Sequence, residues 1–248
     1  MEQTEFKSHI SQRYNASLED LFNQVLEMGG LVEKQLENAV EAIKCEDKSL
    51  AKKIKQLDRI VNKEEVEIDR LCASVFARQQ PTASDLRLVV SAIRIAVDLE
   101  RIGDEAVNAS KLAIKMSKTD EVPCNTLPAY DYLMQILDFD RAMLQKVLTS
   151  FAELDINGLS DIIEYEDQVS AIKAKALVEI QQSLNNNSDA LAEYIMQMIV
   201  SIRSAERVSA HIVNVCESII YLVEGEHVRN VNSEKLNDFL NKAEEDKS

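Results

Sequence analysis

The scarcity of helix breakers constrains this chain more than any other feature. Its 248 residues include three prolines, Pro81, Pro123 and Pro128, and five glycines. No proline interrupts residues 1–80, 82–122 or 129–248. Uninterrupted stretches of that length, rich in Ala, Leu, Glu, Lys and Gln, favour long helices, because straight-chain side chains lose little rotamer freedom there. Hydrophobic residues make up 46% of the chain, which is ample for a core. With no Trp and little Phe or Tyr, that core must be mostly aliphatic.

The hydrophobic pattern places the helices. Leu21, Val25, Met28, Val32, Leu36, Ala39 and Ile43 recur every three or four residues, one continuous apolar stripe. Gly29 and Gly30 interrupt it, each at a cost of about 1 kcal/mol relative to Ala, so a close helix contact is expected there. A second helix carries Ile54, Leu57, Val61, Ile68, Leu71 and Val75 and ends near Gln80, since Pro81 disfavours helix in the residue before it. A third starts at Thr82, with Asp85 placed as in a capping box, and runs to about Lys118. Residues 119–128, with two prolines, form the expected linker. Three further helices follow over about 129–154, 159–184 and from a Ser188 cap to Gly225. A charged tail with a short helix over 234–242 closes the chain.

An internal repeat underlies this order. Asp98–Asn108 and Ser204–Asn214 align at an offset of 106 residues, with Glu100/Glu206, Arg101/Arg207, Val107/Val213 and Asn108/Asn214 identical. Each segment lies late in the third helix of its half. The expected fold is therefore all-α: two pseudo-symmetric three-helix bundles, six long helices in all, joined by short turns. The first bundle spans 1–120, the second 128–228, and the tail 229–248.

Charge and cysteine content narrow the function. The net charge of −15 repels nucleic acid and anionic lipid, whose phosphates need clustered Lys and Arg. Cys45, Cys72, Cys124 and Cys216 form no Cys-x-x-Cys pair and match neither a zinc site nor a disulfide scaffold, as expected of reduced thiols in a cytosolic protein. The N-terminus lacks the basic and apolar regions of a signal peptide, and no stretch approaches the roughly 20 apolar residues of a membrane span.

Two Glu-x-x-x-Asp pairs stand out, Glu65 with Asp69 and Glu100 with Asp104. Spacing of i, i+4 puts both carboxylates on one helix face, where they repel unless something cationic lies between them. On antiparallel helices the two pairs can hold a hard or borderline cation through oxygen ligands. Counted outward from Pro81, their heights differ by roughly 10 Å at about 1.5 Å per residue. The competing reading is two solvated acidic faces. Arg87, Arg94 and Arg101 recur every seven residues and make either an anion or partner site or a ladder of i, i+4 pairs, Arg94 with Asp98 and Arg101 with Glu105. Catalytic machinery is hard to find. Oxidase chemistry in a helical bundle needs paired Glu-x-x-His motifs, and Glu224–His227 alone has that spacing. No glycine-rich phosphate loop or Gly-x-Ser-x-Gly turn exists.

Arg78-Gln-Gln-Pro-Thr-Ala-Ser-Asp-Leu-Arg87, followed by Asp98-Leu-Glu-Arg-Ile-Gly-Asp104, resembles the PhoU family. His9–Asn15, Met28–Leu36 and Ser218–Gly225 resemble it too, so the likeness spans roughly residues 6–230. The resemblance implies a cytoplasmic regulatory adaptor without enzymatic activity, often a homodimer. It implies contact with the sensor histidine kinase PhoR and with PstB, the ATPase of the phosphate transporter, which would bring it to the inner membrane without inserting. The outcome would be repression of the phosphate-starvation regulon and restrained phosphate uptake.

The family also carries a carboxylate metal motif in each bundle. In the first it falls on Glu65, Asp69, Glu100 and Asp104, with Mg²⁺, Mn²⁺ or iron as the expected ion. The second half departs from the pattern. Glu166 is followed four residues on by Ser170, Glu206 by Ala210, and Ser209 stands where Gly is usual. Glu166 and Glu206 are thus the remnants of a weaker site. The alternative function is a metal-dependent helical-bundle enzyme or metal store.

Overall fold

The structure, a computed structural model, describes residues 12–79, 81, 83–118, 122–186 and 192–228. The Thr82 and Ser188 caps and the tail lie outside them. Six α-helices follow one another: α1 Gln12–Lys44, α2 Lys48–Gln79, α3 Ala83–Met116, α4 Tyr130–Glu153, α5 Ser160–Asn186 and α6 Ala192–Glu224. A 3₁₀ turn at Cys124–Thr126 precedes α4, and no strand is present among the described residues. Helices α1–α3 pack on one another as one bundle and α4–α6 as a second.

Local chemistry sets the helix ends. Asp47 Oδ1 accepts the amides of Ser49 at 2.6 Å and Leu50 at 3.3 Å, satisfying two of the free N–H groups that open α2. Leu154 closes α4 in the left-handed region, at φ 53°. Two acidic side chains fasten the linker: Glu46 accepts the Cys124 amide at 2.6 Å and Glu179 the Ala129 amide at 2.9 Å.

The stripe of α1 is fully buried, from Leu18 and Leu21 through Ile43. Apolar area removed from water stabilises by about 25 cal/mol per Å², so a helix this apolar on one face folds only by packing. Of the two glycines expected at a close contact, Gly29 meets that expectation: a Cβ there would stand 2.5 Å from Leu148 Cδ2 of α4. Gly30 does not, since nothing lies within 4 Å of its Cβ position. Phe22 of α1 stacks on Phe151 of α4, centroids 4.7 Å apart.

The bundles meet mainly along α3 and α6, which run antiparallel. Small residues line this seam. Ser91 Oγ donates to the Ser218 carbonyl at 3.1 Å and Ser201 Oγ to the Ala109 carbonyl at 3.2 Å. Buried hydroxyls need such partners, and helix carbonyls supply them at short range.

Candidate functional site

The acidic face of the first bundle lies where α2 and α3 run side by side. Glu65 and Asp69 come from α2, and Glu100 and Asp104 from α3. Partial burial, then the charges of Asp69 and Asp104, push the Glu65 carboxyl above its ordinary value, with Arg101 opposing. Glu100 is raised by burial and by Asp104, opposed by Arg101, with further increments from Glu65 and Asp58. Each pair therefore feels the other across the helices. The Arg101 guanidinium is the nearby cation, 3.5 Å from Glu100 and 3.6 Å from Asp104.

A fifth carboxylate, Asp58, joins them from α2. Burial raises it, the Gln35 hydrogen bond lowers it, and Asp104 raises it again. Gln35 Nε2 donates to Asp58 Oδ1 at 3.3 Å and to the Gly103 carbonyl at 3.0 Å. Gln35 fits because residue 103 is glycine: a Cβ there would come within 2.9 Å of Gln35 Oε1. Asp58 could have been found from sequence, since it stands seven residues before Glu65 and is as far before Pro81 as Asp104 is after it. It fills the height gap that counting had left between the two pairs.

The carboxylates share a face, yet among the described residues no three Asp, Glu, His or Cys side chains close on one point as ion ligands. Their composition suits a hard cation: all-oxygen donors, excess negative charge, and carboxyls that resist ionisation first through burial and then through mutual repulsion. Glu65, Asp69, Glu100 and Asp104, with Asp58 beside them, are the residues that would hold one.

The second bundle is built differently. Glu206, at the place matching Glu100, is ion-paired with Lys173 of α5, each side chain about 30% exposed. Glu166, Ser170 and Ala210 are exposed. Ser209, matching Gly103, hydrogen-bonds Asp140 of α4, which is completely buried. Burial holds the Asp140 carboxyl well above the usual carboxylate range despite that bond. Two pseudo-equivalent bridges thus cross from the first helix to the third in each bundle, Gln35–Gly103 and Asp140–Ser209.

The arginine ladder expected along α3 is not formed. Asp98 turns to α6, accepting from Asn214 Nδ2 at 3.0 Å and pairing with His211 at 2.9 Å. Glu105 pairs with Arg207 at 2.9 Å. Arg87 Nε donates to the Leu222 carbonyl at 3.2 Å, and Arg94 stands 5.4 Å above the Tyr221 ring. Only Arg101 stays within its own helix. The seam carbonyls, ring and charged partners outcompete i, i+4 pairs worth a few tenths of a kcal/mol. His227 stacks on Tyr221, centroids 4.1 Å apart. Asp85 is buried and accepts the Tyr14 hydroxyl at 2.8 Å, linking α1 to α3. Cys72, Cys124 and Cys216 are buried free thiols.

The fold and this face define a duplicated three-helix-bundle protein with a carboxylate-rich helix face in one half. Comparison with known proteins gives the family. The PhoU domain matches residues 25–113 and 133–219. A phosphate-specific transport system accessory protein PhoU homolog of Pseudomonas aeruginosa is 37% identical over 223 residues, 90% of each chain. The accessory protein PhoU of Escherichia coli is 32% identical over 250 residues, covering both chains completely. The crystal structure of PhoU from Pseudomonas aeruginosa superposes with a TM-score of 0.80 over 86% of this chain and all of that one, at 36% identity. PhoU from Streptococcus pneumoniae gives 0.76 over 87% and 99%, at 27% identity. The chain belongs to the PhoU family.

Proposed function

We propose that this chain is the accessory regulator of a phosphate-specific transport system. It lowers phosphate-starvation signalling and moderates uptake by binding, without catalysis. The observation that carries this reading is the near-complete coverage of accessory proteins of that name, in sequence and in the six-helix arrangement. Its partners on this reading are a sensor histidine kinase of the PhoR type and the transporter ATPase, PstB. The protein works as a cytoplasmic homodimer that reaches the membrane through the transporter. No described helix is long and apolar enough to cross a membrane.

The test is a pulldown of the full chain against the kinase and the ATPase, with and without phosphate, beside a gene deletion. Both partners should be captured, and the deletion should raise phosphatase expression when phosphate is plentiful. Unchanged expression in a clean deletion would overturn the reading.

The first-bundle face favours a divalent cation, Mg²⁺, Mn²⁺ or iron, held by Glu65, Asp69, Glu100 and Asp104 as a structural counter-charge. Thiolate-based zinc sites are the wrong chemistry for an all-oxygen donor set. Calorimetric titration of Mn²⁺ should show most binding lost in Asp69→Ala with Asp104→Ala and little lost in Glu166→Ala with Glu206→Ala. The metal-dependent enzyme or store remains the second reading, favoured by the same face. It would require turnover or multiple ions per chain.

A further inference from the structure

The two bundles balance the same kind of charge by different means. On the first, Asp58, Glu65, Asp69, Glu100 and Asp104 influence one another, opposed by Arg101 beside Glu100 and Asp104 and by Lys55 beside Asp58. On the second, Ser170 and Ala210 stand four residues after Glu166 and Glu206 in place of carboxylates, and Glu206 is in contact with the Lys173 ammonium. Lys173 stands seven residues after Glu166, on the same face of α5, and reaches across to α6. The third-helix bridge has changed in the same direction. Ser209 stands at the place matching Gly103, and its hydroxyl meets the buried Asp140.

We propose that Lys173 is a built-in counter-cation. Its ammonium, tethered to α5 and paired with Glu206 of α6, gives the second bundle permanently the charge balance that the first bundle reaches only by taking up a free divalent cation. The chain then has one ion-responsive half and one ion-independent half. Any effect of cation availability on partner binding enters through α2 and α3, while α5 and α6 stay fixed. A primary ammonium suits the role: it is a compact point charge on a flexible stem, able to approach a carboxylate where no second ligand exists. This inference rests on the divalent-cation reading of the first bundle.

Hydrogen exchange of the full chain, followed by mass spectrometry with and without millimolar Mn²⁺, tests it. In the wild type Mn²⁺ should slow exchange over 48–116 and leave 160–186 and 192–224 unchanged. Lys173→Gln should speed exchange over α5 and α6 about two- to fivefold without Mn²⁺, the scale of a partly exposed ion pair. Added Mn²⁺ should recover part of that loss, because Glu206 is then free to attract it. Lys173→Arg should behave as the wild type. Unchanged metal-free exchange in Lys173→Gln overturns the proposal. So does Mn²⁺ protection of α5 and α6 in the wild type equal to that of α2 and α3. If Mn²⁺ alters neither bundle of the wild type, the cation reading of the first bundle fails. The metal-free comparison still decides whether Lys173 is the counter-charge.

Discussion

His211 Nδ1 lies 2.9 Å from Asp98 Oδ1, joining the two bundles through a polar contact that neither helix makes internally. Asn214 donates to the same oxygen at 3.0 Å. Seven residues along α3, Glu105 makes the corresponding reach to Arg207. Both carboxylates lie on the α3 side of the seam, Glu105 buried and Asp98 largely so, and both take their partners from α6.

Removing Asp98 should loosen the seam. Asp98→Ala is expected to lower stability by about 1–3 kcal/mol, because it strands two polar groups at a mostly buried position. His211→Ala should cost less. A double-mutant cycle on chemical denaturation should give a coupling of about 0.5–1.5 kcal/mol between them. A coupling near zero would show that the pair contributes no stability.

Asp140 should make stability fall as pH rises. Its folded-state carboxyl is held far above the ordinary value by burial, so the folded protein binds a proton that the unfolded chain has already released. The neutral form is tolerated in the core; ionisation there is not. Thermal melts from about pH 4 upward, where the unfolded carboxyl begins to ionise, should show a progressive loss in the wild type that Asp140→Asn lacks, since an amide does not titrate. Equal slopes in the two proteins would contradict a neutral buried Asp140. Asp140→Ala should cost about 1–3 kcal/mol at acid pH through the lost bond and packing, and less as pH rises.

Glu100→Gln should stabilise the metal-free protein. Glu65 and Glu100 are raised from 4.5. The folded state therefore binds protons more readily than the unfolded chain, and their penalty is complete above the folded values and relieved as pH falls through them. At neutral pH the substitution should raise the melting temperature by about 2 °C, equivalent to somewhat under 1 kcal/mol. The difference should shrink on acidification. The same substitution should weaken any Mn²⁺-dependent stabilisation. A lower metal-free melting temperature would show that the carboxylates do not repel as placed.

A single thiol should react quickly. Cys72, Cys124 and Cys216 are buried, and burial pushes each thiol up to about 12. Cys45 is exposed, though its hydrogen bond to Glu41, at 3.1 Å, raises it as well. A disulfide-exchange reagent should label one site per native chain, and Cys45→Ser should abolish that phase. Glu41→Gln should quicken it. Labelling of further sites without denaturant would indicate a core that opens more readily than its packing implies.

The sequence by itself determined the secondary structure, the duplication and the two carboxylate pairs of the acidic face. Helix breakers are punctuation that acts within a few residues, and an apolar stripe every three or four residues names the buried face before any partner is known. Leu21 to Ile43 were therefore legible as core, and Glu65, Asp69, Glu100 and Asp104 as one-sided carboxylate pairs. What the tertiary structure decided is who meets whom. Asp98 and Glu105 find His211 and Arg207 over a hundred residues away, rather than the arginines one turn from them, because packing α3 against α6 brings those partners within reach. Lys173 meets Glu206, and Asp58 joins the first face opposite Asp104, for the same reason. Ion pairs and buried bridges are properties of helix register, and register is set by how two whole bundles fit together, which no local pattern encodes.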